Sequence, residues 1–265
     1  MNLPAVVDAG ATVYWWVVPG NKFAMPQSYL PNGTAQDLER LLKPTLNALD
    51  QSAFSSKNYP TYQDAFYTMN PEMNITEMNV GGRLIPRSLV SSNSSAARLS
   101  KAIDYILRNN GILAGVSENV GTSPTSRNSV HPYWRESVFL AFFGIMYDEY
   151  NLTANYVARQ TVTNVLVPAL AELAPDGAAY LNEADYNEPN WQETFYGSNY
   201  PRLLSIKRKY DPYGILWAVL DTFWGWQADS VINSLTLRFE SCLTTTKKIL
   251  SDLLEARGVF EVRVT

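Results

Sequence analysis

One short run, Tyr180-Leu181-Asn182-Glu183-Ala184-Asp185, brings together a phenol, a carboxamide and two carboxylates. A tyrosine or carboxylate with the right surroundings can serve as a general base, because burial and neighbouring charge tune its affinity for a proton. Read as a short strand, "AAYLN", the run puts Tyr180 and Asn182 on one face and Leu181 and Glu183 on the other. Glu183 and Asp185 also invite comparison with a glycosidase pair, whose carboxyls stand about 5–10 Å apart across a sugar. Residues i and i+2 on one strand face meet the lower end of that range.

Other reactive groups are scarce. The chain of 265 residues has a single histidine, His131, and a single cysteine, Cys242. An intrachain disulfide is impossible, and a zinc site built from Cys and His is excluded by count. His131 precedes a proline in "NSVHPYWRE", which suits a turn residue better than the base of a Ser-His-Asp triad. The net charge is −4 and the basic residues form no long run, so nothing favours nucleic acid. No stretch reaches 18 apolar residues, so no membrane span is expected. "MNLPAVVDAGATVYWWVV" has no basic n-region ahead of a long apolar run, so it does not read as a signal peptide. Sequons fall at Asn32, Asn74, Asn93 and Asn151. Aromatic residues make up 12%, enough for a large core or for a face that takes a flat or carbohydrate-like ligand.

The elements that must position the reactive run are legible in outline. "NLPAVVDAG" predicts the last turns of a helix stopped by Gly10, and "ATVYWWVV" predicts a strand. "MPQSYLPNG" reads as a loop. Thr34 caps a helix over 35–51, with Asp37 in its first turn and Leu38, Leu41, Leu42, Leu46 and Leu49 along one face; Pro44 should kink or split it. "YPTYQDAFYTM" is short and helical or irregular. "VGGRLIPRSLV" reads as a glycine-hinged turn entering an extended piece. A second amphipathic helix carries Leu99, Ile103, Ile106 and Leu107 and ends at Asn110-Gly111. "ILAGVSE" and "YWRESVFLAFFGIMYDEY" are strands. A third helix over 151–177 should break at Pro168. Beyond the reactive run come a short helix, "NWQETFYG", and a longer one, "YPRLLSIKRKYDP". The latter should turn Leu203, Leu204 and Ile206 inward and Lys207, Arg208 and Lys209 outward. A last amphipathic helix is expected around Ile249, Leu250, Leu253 and Leu254. This order predicts an α+β fold, an antiparallel sheet with helices on one face.

Four stretches, "LPAVVDAGATVYW", "GRLIPRSLV", "NSVHPYWRESVF" and "YLNEAD…W…FYGSNYPRLLSIKRKYDP", resemble segments of the berberine-bridge-enzyme-like FAD-linked oxidoreductases, the fungal ones above all. The resemblance covers about residues 1–230. It implies a substrate domain over 1–176, a closing segment over 177–230 that returns to the flavin domain, and a divergent tail over 231–265. The cofactor it implies is FAD, and the partner a small-molecule substrate that passes a hydride to the flavin. By position, Tyr180 and Asn182 would face flavin and substrate. Tyr180, or else Glu183, would be the base, although many relatives carry tyrosine where this chain has Glu183. The family's Gly-rich phosphate loop and flavin-attachment residues have no counterpart here, so the resemblance is to a C-terminal half, and a separate flavin-binding half is the implied partner. Family members are often secreted, and the compartment of this chain stays open. The alternative is a non-catalytic binding module or subunit built on the same domain.

Overall fold

The computed structural model describes residues 3–20, 22–49, 54–69, 78–121, 128–148, 150–215 and 260–261. The expected helix around Ile249 lies outside them. Helix α1 (Leu3–Asp8) ends before Gly10, and strand β1 (Thr12–Val18) follows, both as predicted. Of the stretch read as a loop, Met25 to Tyr29 instead belong to strand β2 (Lys22–Tyr29), antiparallel to β1, and only Leu30 to Gly33 turn as expected. Its proline was misleading. The register shifts between Tyr14 and Trp16, so that Met25 and Pro26 share the place opposite Trp15, and a bulge tolerates a residue that cannot donate to the ladder.

Thr34 caps α2 (Ala35–Leu46) through a reciprocal capping box with Asp37, an arrangement worth about 1 kcal/mol. Pro44 does not split this helix. It sits in the last turn, and the helix stops at Leu46 rather than running on to 51. After α3 (Tyr62–Met69) comes β3 (Met78–Pro86), a continuous strand with Gly81 and Gly82 inside it, followed by a 3-10 turn over Arg87–Val90. The glycines are therefore not a hinge. Helix α4 (Asn93–Arg108), capped by Ser92, leads into β4 (Ile112–Ser117). Strand β5 (Ser137–Met146) begins later than its sequence suggests, because Pro132–Glu136 forms a 3-10 turn.

The third predicted helix is α5 (Leu152–Thr161) and α6 (Val167–Ala171), joined by a π turn over Val162–Leu166. The amide of Val167 donates to the carbonyl of Val162. This wider turn carries the chain past Pro168, which has no amide to give, without ending the helix. Helices α7 (Trp191–Tyr196) and α8 (Tyr200–Tyr210) complete the described chain apart from a two-residue strand, β6 (Phe260–Glu261).

The strands form one antiparallel sheet in the order β3-β5-β4-β1-β2-β6. One face is covered. Val13, Trp15, Ile85, Leu113, Phe139, Ala141 and Phe143 pack against Val6, Leu42, Leu99, Ile106, Leu166 and Leu170 from the helices. Alternation along the strands sends Tyr14, Trp16, Ala114, Val116, Leu140 and Phe142 to the opposite face. The α+β architecture with helices on one face is thus as the sequence predicts, and the candidate chemistry lies on the other face.

Candidate active site

Strand β3 is an edge strand, and the reactive run docks against it. The amide of Leu84 donates to the carbonyl of Ala178 at 2.8 Å, and the amide of Ala179 donates to the carbonyl of Thr194 at 2.9 Å. Only the first of these bonds resembles a ladder. Leu181–Glu183 then closes a 3-10 turn in which the Glu183 amide reaches the Tyr180 carbonyl at 2.9 Å. The expected strand "AAYLN" is therefore an extended approach ending in a tight turn, because the second bond draws the chain towards α7 instead of along β3.

Tyr180 and Asn182 nevertheless meet. Asn182 Nδ2 donates to the Tyr180 hydroxyl at 2.7 Å. The Tyr180 ring stands edge-on to Trp134, with centroids 5.6 Å apart, in a cluster with Leu84, Leu140 and Ala178. Asn182 is exposed. Both residues sit beside the pocket described next and do not line it.

Glu183 does line it. Its neighbours are Tyr14 and Trp16 of β1, Ala114, Gly115 and Val116 of β4, and Phe142 of β5. Together they form a cleft of about 120 Å³ on the face the helices leave bare. Burial raises the Glu183 carboxyl above the ordinary carboxylate range. The Tyr14 hydroxyl is also raised, first by burial, then by the proximity of Tyr62, Glu118 and Glu183. Burial raises Glu118 too. The arrangement is a poorly solvated carboxylate beside a phenol that keeps its proton, between aromatic walls. It can accept a proton from a bound hydroxyl or amine and hold the substrate's heteroatom by a hydrogen bond.

The second carboxylate of the run goes elsewhere. Asp185 is 2% exposed and accepts the Asn187 amide at 2.9 Å. With Glu188, which pairs with Arg83 at 2.6 Å, it belongs to a buried polar group where the chain wraps the edge of β3. The paired-carboxylate geometry fails because the run turns and does not alternate.

His131 is a turn residue. Its Nδ1 accepts the Tyr133 amide at 3.1 Å and its Nε2 lies 3.0 Å from the Glu193 carbonyl, which can only accept. The ring is therefore neutral with its proton on Nε2, in keeping with a basicity lowered by burial. Helix α8 keeps Leu203 and Leu204 half-buried and Arg208 and Lys209 exposed, as predicted, but exchanges the pair between them. Ile206 is exposed, whereas Lys207 is half-buried and pairs with Asp211 at 2.5 Å.

Tyr14, Trp16, Glu118 and Phe142 escaped the sequence reading. A period-2 signal was present in "TVYWWVV", which puts Tyr14 and Trp16 on one face. Nothing local says that this face is the one the helices leave bare, or that the turn at Leu181–Glu183, far along the chain, delivers a carboxylate to it.

Residues 179–218 match the family model "Berberine and berberine like". Over 221 residues and 81% of its length the chain is 33% identical to the FAD-linked oxidoreductase sor8 of Hypocrea jecorina. This chain carries the berberine-like segment of the FAD-linked oxidoreductases. A second relative, FAD-linked oxidoreductase patO of Aspergillus clavatus, is 29% identical over 82% of the chain. The crystal structure of the VAO-type flavoprotein MtVAO615 of Myceliophthora thermophila superposes with a TM-score of 0.70 at 29% identity, over 82% of this chain and 41% of that one. The chain spans about two fifths of the curated relatives it matches, 38% of the first and 39% of the second. The berberine-like match takes in the Tyr180–Asp185 turn, α7 and α8, the part of the chain that brings Glu183 to the bare face of the sheet.

Proposed function

We propose that this chain provides the substrate side of an FAD-linked oxidoreductase centre, with Glu183 as the base. The observation that carries the reading is the half-buried Glu183 carboxylate near Tyr14 in an aromatic cleft on the sheet face that no helix among the described residues covers. A flat, largely apolar wall of this kind suits one side of an isoalloxazine ring. A cleft of about 120 Å³ cannot enclose the cofactor, since sites that bury ligands of that size run to about 300–1,000 Å³. A separate flavin-binding half would supply the remaining walls and the groups for the pyrophosphate.

When bound, FAD supplies the acceptor for the substrate's hydride. Glu183 takes the proton from the hydroxyl or amine at the carbon being oxidised, and burial, which raises its basicity, favours that role. The Tyr14 hydroxyl, held protonated, hydrogen-bonds the same heteroatom. Trp16 and Phe142 flank the substrate and keep water from the carboxylate. Tyr180 and Asn182 act from the rim, where their mutual hydrogen bond fixes the phenol. The substrate is a small molecule, and fungal secondary metabolism is the setting we propose, in line with the fungal sources of the relatives.

The test is an absorbance spectrum from roughly 300 to 550 nm after incubation with FAD and desalting. Flavin bands that survive desalting support the reading. A protein that takes up no FAD either alone or mixed with the flavin-binding half of a relative overturns it and favours the second reading, a non-catalytic binding module.

A further inference from the structure

Of the four sequons, Asn74 lies outside the described residues. In two of the other three, the hydroxyl two residues on already has a structural role. Thr34, after Asn32, caps α2, and Ser95, after Asn93, closes the capping box of α4 with Ser92. Thr153, after Asn151, is exposed and has no partner among the described residues. Asn151 itself is the N-cap of α5, and its Oδ1 accepts the Ala154 amide at 3.0 Å. That leaves its Nδ2, the atom to which a sugar is joined, without a partner among the described residues, on an exposed side chain. The turn that presents this amide is firmly tied. Asn155 Nδ2 donates to the Asp148 carbonyl at 2.7 Å, the Asp148 amide donates to Asn155 Oδ1 at 2.7 Å, and the Tyr150 amide donates to Asp148 Oδ1 at 3.0 Å.

Large apolar side chains stand around it. Tyr150 is 89% exposed, Leu152 73% and Tyr156 56%. Leu152 and Tyr156 are four residues apart and share a face of α5. The rings of Tyr156 and Tyr186 both lie against the Arg159 guanidinium, at 5.1 and 5.9 Å, which extends the same surface. Single exposed apolar residues are ordinary, but a contiguous group marks a place that something covers. We propose that Asn151 is an N-glycosylation acceptor and that its glycan lies over Tyr150, Leu152 and Tyr156. The covalent link decides the occupant, because the acceptor stands next in sequence to both Tyr150 and Leu152. Sugar rings have C–H faces that pack on tyrosine and leucine while their hydroxyls stay in water. An attached glycan therefore covers the patch without burying an unpaired polar group. The site is independent of the Glu183 cleft, and neither needs the other.

Secretion of the full chain from a eukaryotic host behind an added leader, followed by peptide mass mapping, tests the assignment. The peptide that contains Asn151 should carry an N-linked glycan. Thr153→Ala should abolish it and Thr153→Ser should retain it, and both leave the Asn151 cap in place. Hydroxyl-radical footprinting then reads the patch. Oxidation of Tyr150 and Tyr156 should rise about twofold or more in Thr153→Ala, because a bulky surface glycan no longer shields side chains that are more than half open. Trimming the glycan of the parent protein to its first hexosamine should give the same rise without any substitution. An unmodified Asn151, with or without glycans at Asn32 and Asn93, overturns the site. A modified Asn151 whose glycan can be lost or trimmed with no change at either tyrosine overturns the covering of the patch.

Discussion

Gly82 in β3 makes room for the backbone of Glu183. A Cβ at position 82 would stand 2.1 Å from the Glu183 carbonyl oxygen, far inside any contact distance. The turn that delivers the carboxylate therefore lies directly on the strand, and a residue with no side chain is needed for it to do so.

Gly82→Ala should cost about 1–3 kcal/mol of stability, the usual scale of overpacking at a tight contact. It should also change the pH dependence of stability that Glu183 confers, because the displaced turn takes Glu183 with it. Urea denaturation at a series of pH values reads the two effects. An unchanged midpoint would mean that the turn does not rest on β3 in solution.

Glu183→Gln should alter the pH dependence of stability. The folded state raises the carboxyl above its unfolded value, so the native protein holds the proton longer. Stability of the parent protein then falls as pH rises from the ordinary carboxylate range through the raised native value. The glutamine variant has no such loss. Melting temperatures of the two proteins should be similar at low pH and diverge in favour of the variant at neutral pH. Parallel curves would show that Glu183 is solvated.

The Arg83–Glu188 pair is buried on both sides, with side chains 8% and 5% exposed, and Arg83 Nη1 also donates to the Gly82 carbonyl at 3.1 Å. Glu188→Gln leaves a buried guanidinium unpaired and should cost about 3–5 kcal/mol. The double variant Arg83→Met with Glu188→Leu should recover most of that loss, because removing both charges also removes the desolvation penalty. Chemical denaturation of the single and double variants decides the matter. Equal losses in both would point to shape and not charge.

His131 ties the turn before β5 to α7, and Gly197 fits beneath it at φ 53. His131→Ala should cost about 1–3 kcal/mol at neutral pH, the price of two unmet backbone groups. Burial lowers the basicity of the ring, so its contribution is present above the ordinary histidine value and is lost as pH falls through the lower native one. The gap between parent and variant should therefore narrow on acidification. A gap that does not change with pH would mean that the ring is not buried neutral.

Where local pattern governs, sequence and structure coincide. Thr34 with Asp37 caps α2, Gly10 and Gly197 follow the ends of α1 and α7, and the apolar spacing of Leu99, Ile106 and Leu107 buries one side of α4. The departures share a cause. Pro26 resembles a strand breaker, but a bulge against Trp15 accommodates it, and Pro168 resembles a helix stop, but a π turn carries the chain past it. In both cases a local irregularity, a bulge in one and a wider helical turn in the other, absorbed the proline.

The sequence by itself determined the α+β class and the family resemblance, and it offered Tyr180 first and Glu183 second as the base. Those follow from side-chain period, caps and the "YLNEAD" motif, all local properties of the chain. Only the tertiary structure decided what Glu183 faces. Tyr14 and Glu183 are separated by most of the chain, and their meeting depends on which sheet face the helices leave bare and on how the turn at 181–183 settles over Gly82. Tyr180 and Asp185, neighbours of Glu183 in sequence, were sent to the rim and to a buried polar group by the same turn. Contacts of that range are fixed by the global minimum of packing and polar satisfaction, which no short window of sequence contains.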